Sequence, residues 1–182
     1  MKTHTPTFYT AEQLTAIFDY LKTNNENLYI CALLVYECGL RETEIRLLKA
    51  KHFNETCTRV IMEMQNSAEK RVLNFAVPQT LHELLKVRLS DIVGSEVNIF
   101  TLTALPPKSH YFNAGWMEVK RELNLSPEQN LDTFRQTAAV NLYWQTGNIK
   151  AVQQFMGHST TEVTEKYLKG LGCSILPEVQ TA

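Results

Sequence analysis

The first fifty residues have the hydrophobic spacing of helices. A capping-box sequence, Thr10-Ala11-Glu12-Gln13, precedes apolar residues at helical spacing, namely Leu14, Ile17, Phe18 and Leu21. Residues 28–38 form an almost wholly apolar run that stops at Gly39, which predicts a buried helix with a glycine cap. Residues 39–44 then open a short helix that is predicted to run through Leu48.

The middle of the chain changes to the pattern of β-strands. Residues 58–64 and 72–77 are rich in β-branched and apolar residues. The polar residues between these two runs predict a hairpin with Lys70 near its turn. Pro78 ends the second strand, because proline cannot donate to the ladder of hydrogen bonds.

Helical spacing returns after the hairpin. Four more helices are predicted over residues 81–89, 111–123, 133–145 and 149–156. Pro106-Pro107 lies in the loop between the first two, and Thr146-Gly147-Asn148 separates the last two. A further short helix, with Ser159 as its N-cap, would carry Tyr167. The predicted fold class is therefore α+β, mainly α, with a small antiparallel sheet or hairpin packed on a helical core.

Length and composition predict one soluble domain. The chain has 182 residues, of which 44% are hydrophobic and 20% charged, as in ordinary globular domains. No stretch approaches the roughly 18 apolar residues of a membrane span, so a cytoplasmic protein without a membrane partner is expected. The four cysteines are scattered without a C-x-x-C pair, which predicts reduced thiols and no zinc. The net charge of −1 means that any affinity for DNA must come from local basic patches.

Three side chains in the last third suggest phosphate chemistry. Arg135 and His158 can donate hydrogen bonds to phosphoryl oxygens, and the phenol of Tyr167 can act as a nucleophile. Together they indicate DNA strand cleavage. The two helices around Gly147 also fit a helix-turn-helix DNA reader, but that alternative leaves Arg41 and Tyr167 without a role.

Three sequence boxes resemble those of the tyrosine recombinases, the phage-integrase and Xer-like family. Gly39-Leu40-Arg41-Glu42-Thr43-Glu44 is similar to the family's G-L-R-x-S-E box, and residues 131–137, LDTFRQT, are similar to its H-x-L-R-H-T box. Gly157-His158 and Lys166-Tyr167 match the family's G-H pair and terminal tyrosine. The resemblance covers about residues 8–169 and implies the catalytic fold of that family.

The resemblance implies a role for each matching residue. Arg41 and Arg135 would clamp the non-bridging oxygens of the scissile phosphate, and His158 would be the third donor. Tyr167 would attack phosphorus, giving a 3′-phosphotyrosine link and a free 5′-hydroxyl. Lys70 resembles the family's lysine that protonates the leaving oxygen, with Arg71 as an adjacent competitor. No metal, ATP or other cofactor is expected, since cationic side chains supply the positive charge and the covalent intermediate conserves the phosphodiester energy.

One position departs from the family's pattern. Asp132 stands where most members have a histidine. A carboxylate should repel the phosphate unless Arg135 or Arg41 holds it back, and it would be a weak base toward the Tyr167 phenol. Slower chemistry is therefore expected, and a degenerate, inactive enzyme is a second possibility.

The resemblance also bears on domains and partners. We expect residues 1–182 to be a single catalytic domain, with residues 170–182 as a tail that docks on a neighbouring subunit and without the family's N-terminal core-binding domain. The expected partners are double-stranded DNA and further copies of the chain, assembled as a tetrameric synapse in the nucleoid. A type IB topoisomerase is a less favoured alternative, since it shares the phosphotyrosine chemistry but works as a monomer.

Ordinary structural explanations exist for each residue taken separately. Arg41 can be a surface arginine paired with Glu44, Asp132 can be a helix N-cap, and Tyr167 can be a half-buried ring. Only the joint order of Arg41, Lys70, Arg135, His158 and Tyr167 favours the recombinase interpretation.

Overall fold

The protein is mainly helical, with one antiparallel hairpin. The computed structural model describes residues 8–65 and 70–175, with only the backbone at residues 65, 70 and 71. Its helices are α1 (Ala11–Asn24), α2 (Glu26–Cys38), α3 (Glu42–Ile45), α4 (Gln79–Ser90), α5 (Tyr111–Glu122), α6 (Leu131–Thr146), α7 (Ile149–Met156) and α8 (Thr161–Gly170). The strands are β1 (Arg59–Gln65) and β2 (Lys70–Ala76), and this confirms the predicted fold class. Among the described helices, none has both the length and the apolar character needed to cross a bilayer.

The N-terminal helices begin and end where their capping residues predict. The Thr10 hydroxyl accepts a hydrogen bond from the Gln13 amide at 3.2 Å, and the Gln13 side chain accepts one from the Thr10 amide at 3.0 Å. This reciprocal pair satisfies two amide groups at the start of α1. Helix α2 stops at Gly39, whose φ of 64° is a left-handed conformation that glycine adopts without steric cost.

The hairpin is held in a single register. β1 and β2 pair antiparallel from Arg59 opposite Ala76 to Gln65 opposite Lys70. Val60, Met62 and Leu73 are buried, so one face of the ribbon packs on the helices. Lys70 begins β2, next to the predicted turn, and residues 66–69 lie outside the described residues.

An aromatic cluster forms the centre of the larger core. Phe134 on α6 is fully buried, and its ring lies 4.6–6.5 Å from the ring centroids of Tyr9, Phe18, Tyr36 and Trp116. Such tilted and edge-on pairs add to the hydrophobic stabilisation of each ring. Helix α6 is therefore fixed against α1, α2 and α5.

Helix α6 also contributes to a second, smaller core. Its C-terminal half buries Ala139, Val140 and Tyr143 against Val152 of α7 and Leu168 of α8. The C-terminal helices thus reach the larger core mainly through α6. Arg135 lies on α6 between the residues of the two cores.

Two local predictions, and the alternative explanation of Asp132 as an N-cap, were wrong, each for an identifiable reason. The helix predicted through Leu48 ends at Ile45, because the Leu47 and Leu48 amides donate to the Glu44 and Ile45 carbonyls, three residues back and not four as in an α-helix. The N-cap of α6 is Asn130, not Asp132, since the Asn130 side chain accepts from the Thr133 amide. The N-cap of α8 is Thr160, not Ser159, through an equivalent bond from the Val163 amide.

The aromatic cluster makes a prediction about stability. Phe134→Ala is expected to lower the free energy of unfolding by about 3–5 kcal/mol, because it removes a buried ring and leaves a cavity. Urea unfolding followed by circular dichroism measures this change. Met117→Ala, at an exposed position on α5, is the control and should change stability by less than about 0.5 kcal/mol. Equal effects of the two substitutions would contradict the assignment of Phe134 as the centre of the core.

Candidate active site

Arg41 is presented by the turn between α2 and α3. Gly39 reverses the chain and buried Leu40 anchors it, so that Arg41 becomes the N-cap residue of α3. The Glu44 carboxylate accepts a hydrogen bond from the Arg41 amide at 2.8 Å and lies 3.6 Å from its guanidinium. Glu44 is buried whereas the Arg41 side chain is 47% exposed, so the carboxylate fixes the base of an outward-facing cation. The Arg41–Glu44 pair suggested by residue spacing is thus present.

Arg135 is buried and joins two helix ends. Its Nε donates to the Gly39 carbonyl and its guanidinium NH2 group donates to the Met156 carbonyl, both at 2.7 Å. These carbonyls lie at the C-terminal ends of α2 and α7, where the helix leaves acceptors unpaired and carries partial negative charge. Burial and the neighbouring Arg41 lower the pKa of Arg135, against the opposite effect of Tyr167.

The same two helix ends also touch directly. A Cβ atom on Gly39 would lie 2.3 Å from the Phe155 carbonyl oxygen, so only glycine permits this approach. Gly39 precedes Arg41 by two residues, and Met156 precedes His158 by two. The contact therefore brings the sequence box that contains Arg41 close to the Gly157-His158 pair.

Tyr167 points its hydroxyl into the protein. The ring is half-buried, and the hydroxyl is buried without a hydrogen-bond partner among the described residues. Burial and the Asp132 carboxylate raise the pKa of Tyr167 to about 12, while Arg135 and Arg41 act in the opposite direction. These interactions place Tyr167, Asp132 and both arginines in one electrostatic neighbourhood.

His158 completes this group. Its ring packs edge-on against the Tyr167 ring, with the centroids 5.3 Å apart. The His158 amide donates to the Gln153 carbonyl at 3.0 Å, and the Gln153 side chain returns a bond to the His158 carbonyl at 3.2 Å. The ring Nδ1 lies 3.0 Å from the Thr164 hydroxyl.

Asp132 lies in the first turn of α6, next to the candidate nucleophile. Its carboxylate accepts a hydrogen bond from the Gln136 side chain at 3.3 Å. Neither Arg41 nor Arg135, both within the described part of the chain, forms an ion pair with it at 4.0 Å or less. The carboxylate is thus held by Gln136 while its charge disfavours ionisation of Tyr167.

Lys70 is the one candidate residue whose side chain lies outside the described residues. Its backbone begins β2, opposite Gln65. The side chain of its competitor Arg71 lies outside them too. The role of this lysine stays a prediction from the sequence resemblance.

A cleft of about 400 Å³ opens beside Arg41 and Asp132. Its remaining lining residues are Val35, Leu40, Glu42, Thr43, Asn113, Asn130 and Leu131. The lining does not include Arg135 or His158, and it carries carboxylates as well as a guanidinium. Within residues 8–65 and 70–175, no group of three or more His, Cys, Asp or Glu side chains is arranged to hold a metal ion.

The sequence prediction missed the residues that hold the candidate groups in place. Thr164 contacts His158, and Gln136 contacts Asp132. Gln136 is recognisable afterwards, because residues four apart on a helix are neighbours. Thr164 lies three residues before Tyr167 on α8, and this spacing could have indicated that its side chain is on the same helix face as the candidate nucleophile.

Known structures share this fold. The Tn1549 transposon integrase, in complex with a circular intermediate DNA, is similar with a TM-score of 0.72 and 16% identity, over 91% of this chain and 62% of that one. The XerH site-specific recombinase, bound to a palindromic difH substrate, gives 0.70 and 17% over 91% and 50%. A lambda integrase dimer bound to a COC′ core site gives 0.67 and 17% over 97% and 51%. The chain thus spans 50–62% of the length of the chains in these three structures.

The fold is therefore the catalytic fold of tyrosine recombinases. The sequence model described as the phage integrase family matches residues 7–171. The chain belongs to the phage integrase family. No curated protein matches its sequence significantly.

The bonds of Arg135 predict that lysine cannot replace it. Arg135→Lys is expected to lower the free energy of unfolding by about 1–3 kcal/mol, because an ammonium cannot offer the planar fork that reaches both carbonyls. Urea unfolding measures the change. Arg121→Lys, at an exposed position on α5, is the matched control and should be nearly neutral. A neutral Arg135→Lys would show that the two helix ends hold together without the guanidinium.

Proposed function

We propose that the chain is the catalytic domain of a site-specific DNA recombinase or integrase. It cleaves a DNA strand by attack of the Tyr167 hydroxyl on phosphorus, which forms a 3′-phosphotyrosine bond and releases a 5′-hydroxyl. Reversal of the same step by a 5′-hydroxyl rejoins the strand and frees the tyrosine. The reaction uses no metal ion and no ATP.

The observation that carries this proposal is the position of Arg135. Its two hydrogen bonds join the ends of α2 and α7, two residues before Arg41 and His158. Tyr167 packs edge-on against His158 and interacts electrostatically with Arg41 and Arg135. Residues separated by up to 126 positions in the sequence thus share one electrostatic neighbourhood. A surface arginine and an isolated half-buried tyrosine would not need this arrangement.

The charges suit a phosphorane-like transition state. Attack on the phosphodiester builds negative charge on the non-bridging oxygens, and cationic donors fixed beforehand stabilise that charge without reorganisation. Arg41 and Arg135 are the proposed cations, and His158 is the proposed third donor. Since its pKa is raised to about 12, the Tyr167 phenol is protonated at neutral pH and must lose its proton as it attacks. Lys70 remains the proposed acid for the leaving oxygen.

The proposed partners follow from the solved relatives. The transposon integrase, XerH and lambda integrase structures hold DNA, and the lambda integrase forms a dimer. We assign double-stranded DNA to this chain by analogy, together with self-association into a tetrameric synapse in the nucleoid. Since the net charge is −1, binding to DNA should be salt-sensitive and depend on local patches.

A catalytically impaired member is the second candidate function. Asp132 favours it, because its charge raises the pKa of the nucleophile and would oppose a bound phosphate. A helix-turn-helix reader that does not cut DNA fits α6 and α7 but gives Arg41 and Tyr167 no role. A type IB topoisomerase would relax supercoiled DNA as a monomer and would not exchange strands between two duplexes.

The proposed nucleophile is tested by removing its hydroxyl. Tyr167→Phe should abolish a covalent protein–DNA band on a denaturing gel, after incubation with nicked duplexes randomised in sequence around the nick. Folding should be unchanged, because the lost hydroxyl has no hydrogen-bond partner in the described residues. Tyr143→Phe, which alters the nearest rival tyrosine, is the control and should keep the band.

Each result has a separate meaning. A band that persists in Tyr167→Phe and disappears in Tyr143→Phe would move the nucleophile to Tyr143. DNA binding without a band in the wild type would favour the impaired enzyme or the helix-turn-helix alternative.

Asp132 is tested by a series of three proteins. If the carboxylate slows the reaction by repelling the phosphate, single-turnover cleavage should be fastest for Asp132→His, slower for Asp132→Asn and slowest for the wild type. We expect this order, because Asp132 bonds Gln136 and neither arginine. If Asp132 instead orients an arginine, both substitutions should lower activity by the equivalent of roughly 1.5–3 kcal/mol. A wild type that is the fastest of the three would refute repulsion.

A further inference from the structure

Thr164 connects the His158 ring to the backbone of its own helix. The Thr164 side chain is fully buried, and its hydroxyl lies between two acceptor-capable atoms. The Thr160 carbonyl oxygen is 3.2 Å away and His158 Nδ1 is 3.0 Å away. A hydroxyl has one hydrogen and two lone pairs, so it can donate one bond and accept another.

The Thr164 hydroxyl has one hydrogen, and the acceptor of that hydrogen decides which nitrogen of His158 is protonated. The Thr160 carbonyl can only accept, so the bond to it uses the single hydrogen of the Thr164 hydroxyl. The bond to His158 then exists only if Nδ1 carries a hydrogen and donates it. In the opposite tautomer the hydroxyl must turn to Nδ1, and its bond to Thr160 is lost. Both bonds of this buried hydroxyl form in one tautomer only.

We propose that Thr164 is a positioning residue that holds His158 in the tautomer protonated on Nδ1. In the neutral ring Nε2 is then an acceptor, and a hydrogen bond from Nε2 to a phosphoryl oxygen requires the doubly protonated imidazolium. Through the bond to Nδ1, Thr164 also helps to fix the plane of the His158 ring, which packs edge-on against Tyr167 with the centroids 5.3 Å apart. The consequence for cleavage rests on the proposed function, whereas the tautomer does not.

The tautomer is measured on the full chain without DNA. Two-bond 1H–15N correlation spectra of the histidine rings distinguish a protonated from an unprotonated Nδ1, at a pH where titration shows His158 to be neutral. Wild type and Thr164→Ser, which keeps the hydroxyl, should both show a protonated Nδ1. Thr164→Val, which has nearly the same shape without the hydroxyl, should lose that signature. Thr15→Val removes an equivalent hydroxyl bond from α1 and should leave the His158 spectrum unchanged.

A second readout measures the effect on cleavage. Thr164→Val should slow single-turnover formation of the covalent adduct by about 10-fold, on the scale of other residues that orient a functional histidine, and Thr164→Ser should restore it.

A wild-type His158 protonated on Nε2, or a Thr164→Val spectrum identical to wild type, would overturn the proposed tautomer. A shifted tautomer with unchanged cleavage would overturn the positioning role. If no protein of the series forms an adduct, the proposed function fails while the spectra still decide the tautomer.

Discussion

The rest of the site depends on the two hydrogen bonds that the buried Arg135 guanidinium donates to backbone carbonyls. It donates to the carbonyls of Gly39, which caps α2, and of Met156, the last residue of α7, and the segments that follow carry Arg41 and His158. A buried cation usually needs a carboxylate partner, because desolvation is costly. Here the partial negative charge at two helix ends takes part of that role. The arginine therefore acts as a structural joint between helices as well as a candidate phosphate ligand.

The carboxylates around this cation are used in two different ways. Glu44 is buried; it accepts a hydrogen bond from the Arg41 amide and forms an ion pair with the Arg41 guanidinium, which stays half exposed. Asp132 forms no ion pair with either arginine in the described part of the chain, and it bonds the neutral Gln136. Its negative charge is consequently not cancelled at close range and acts on Tyr167.

The sequence predicted the helices and the hairpin well where glycine or a capping box marks an end, as at Thr10 and Gly39. It did not predict which of two good capping residues is used, since Asn130 and Asp132, or Ser159 and Thr160, are chemically equivalent in that role. The sequence also did not predict that Arg135 binds the Gly39 and Met156 carbonyls, because every residue has a backbone carbonyl and none is distinguished by its side chain. The family resemblance identified the candidate residues, whereas the residues that hold them in place, such as Thr164 and Gln136, were identified only in the structure.

The division of the core between the two halves of α6 has a consequence for local unfolding. Tyr167 packs on the smaller core and His158 packs on Tyr167; α6, the Arg135–Met156 bond and the Gly39–Phe155 contact connect this unit to the rest. Small units with few connections open at lower free energy than the whole domain. Opening of this unit would carry the nucleophile away from Arg41 while the aromatic core stays folded. Amide hydrogens of α7 and α8 would then exchange before those of α2.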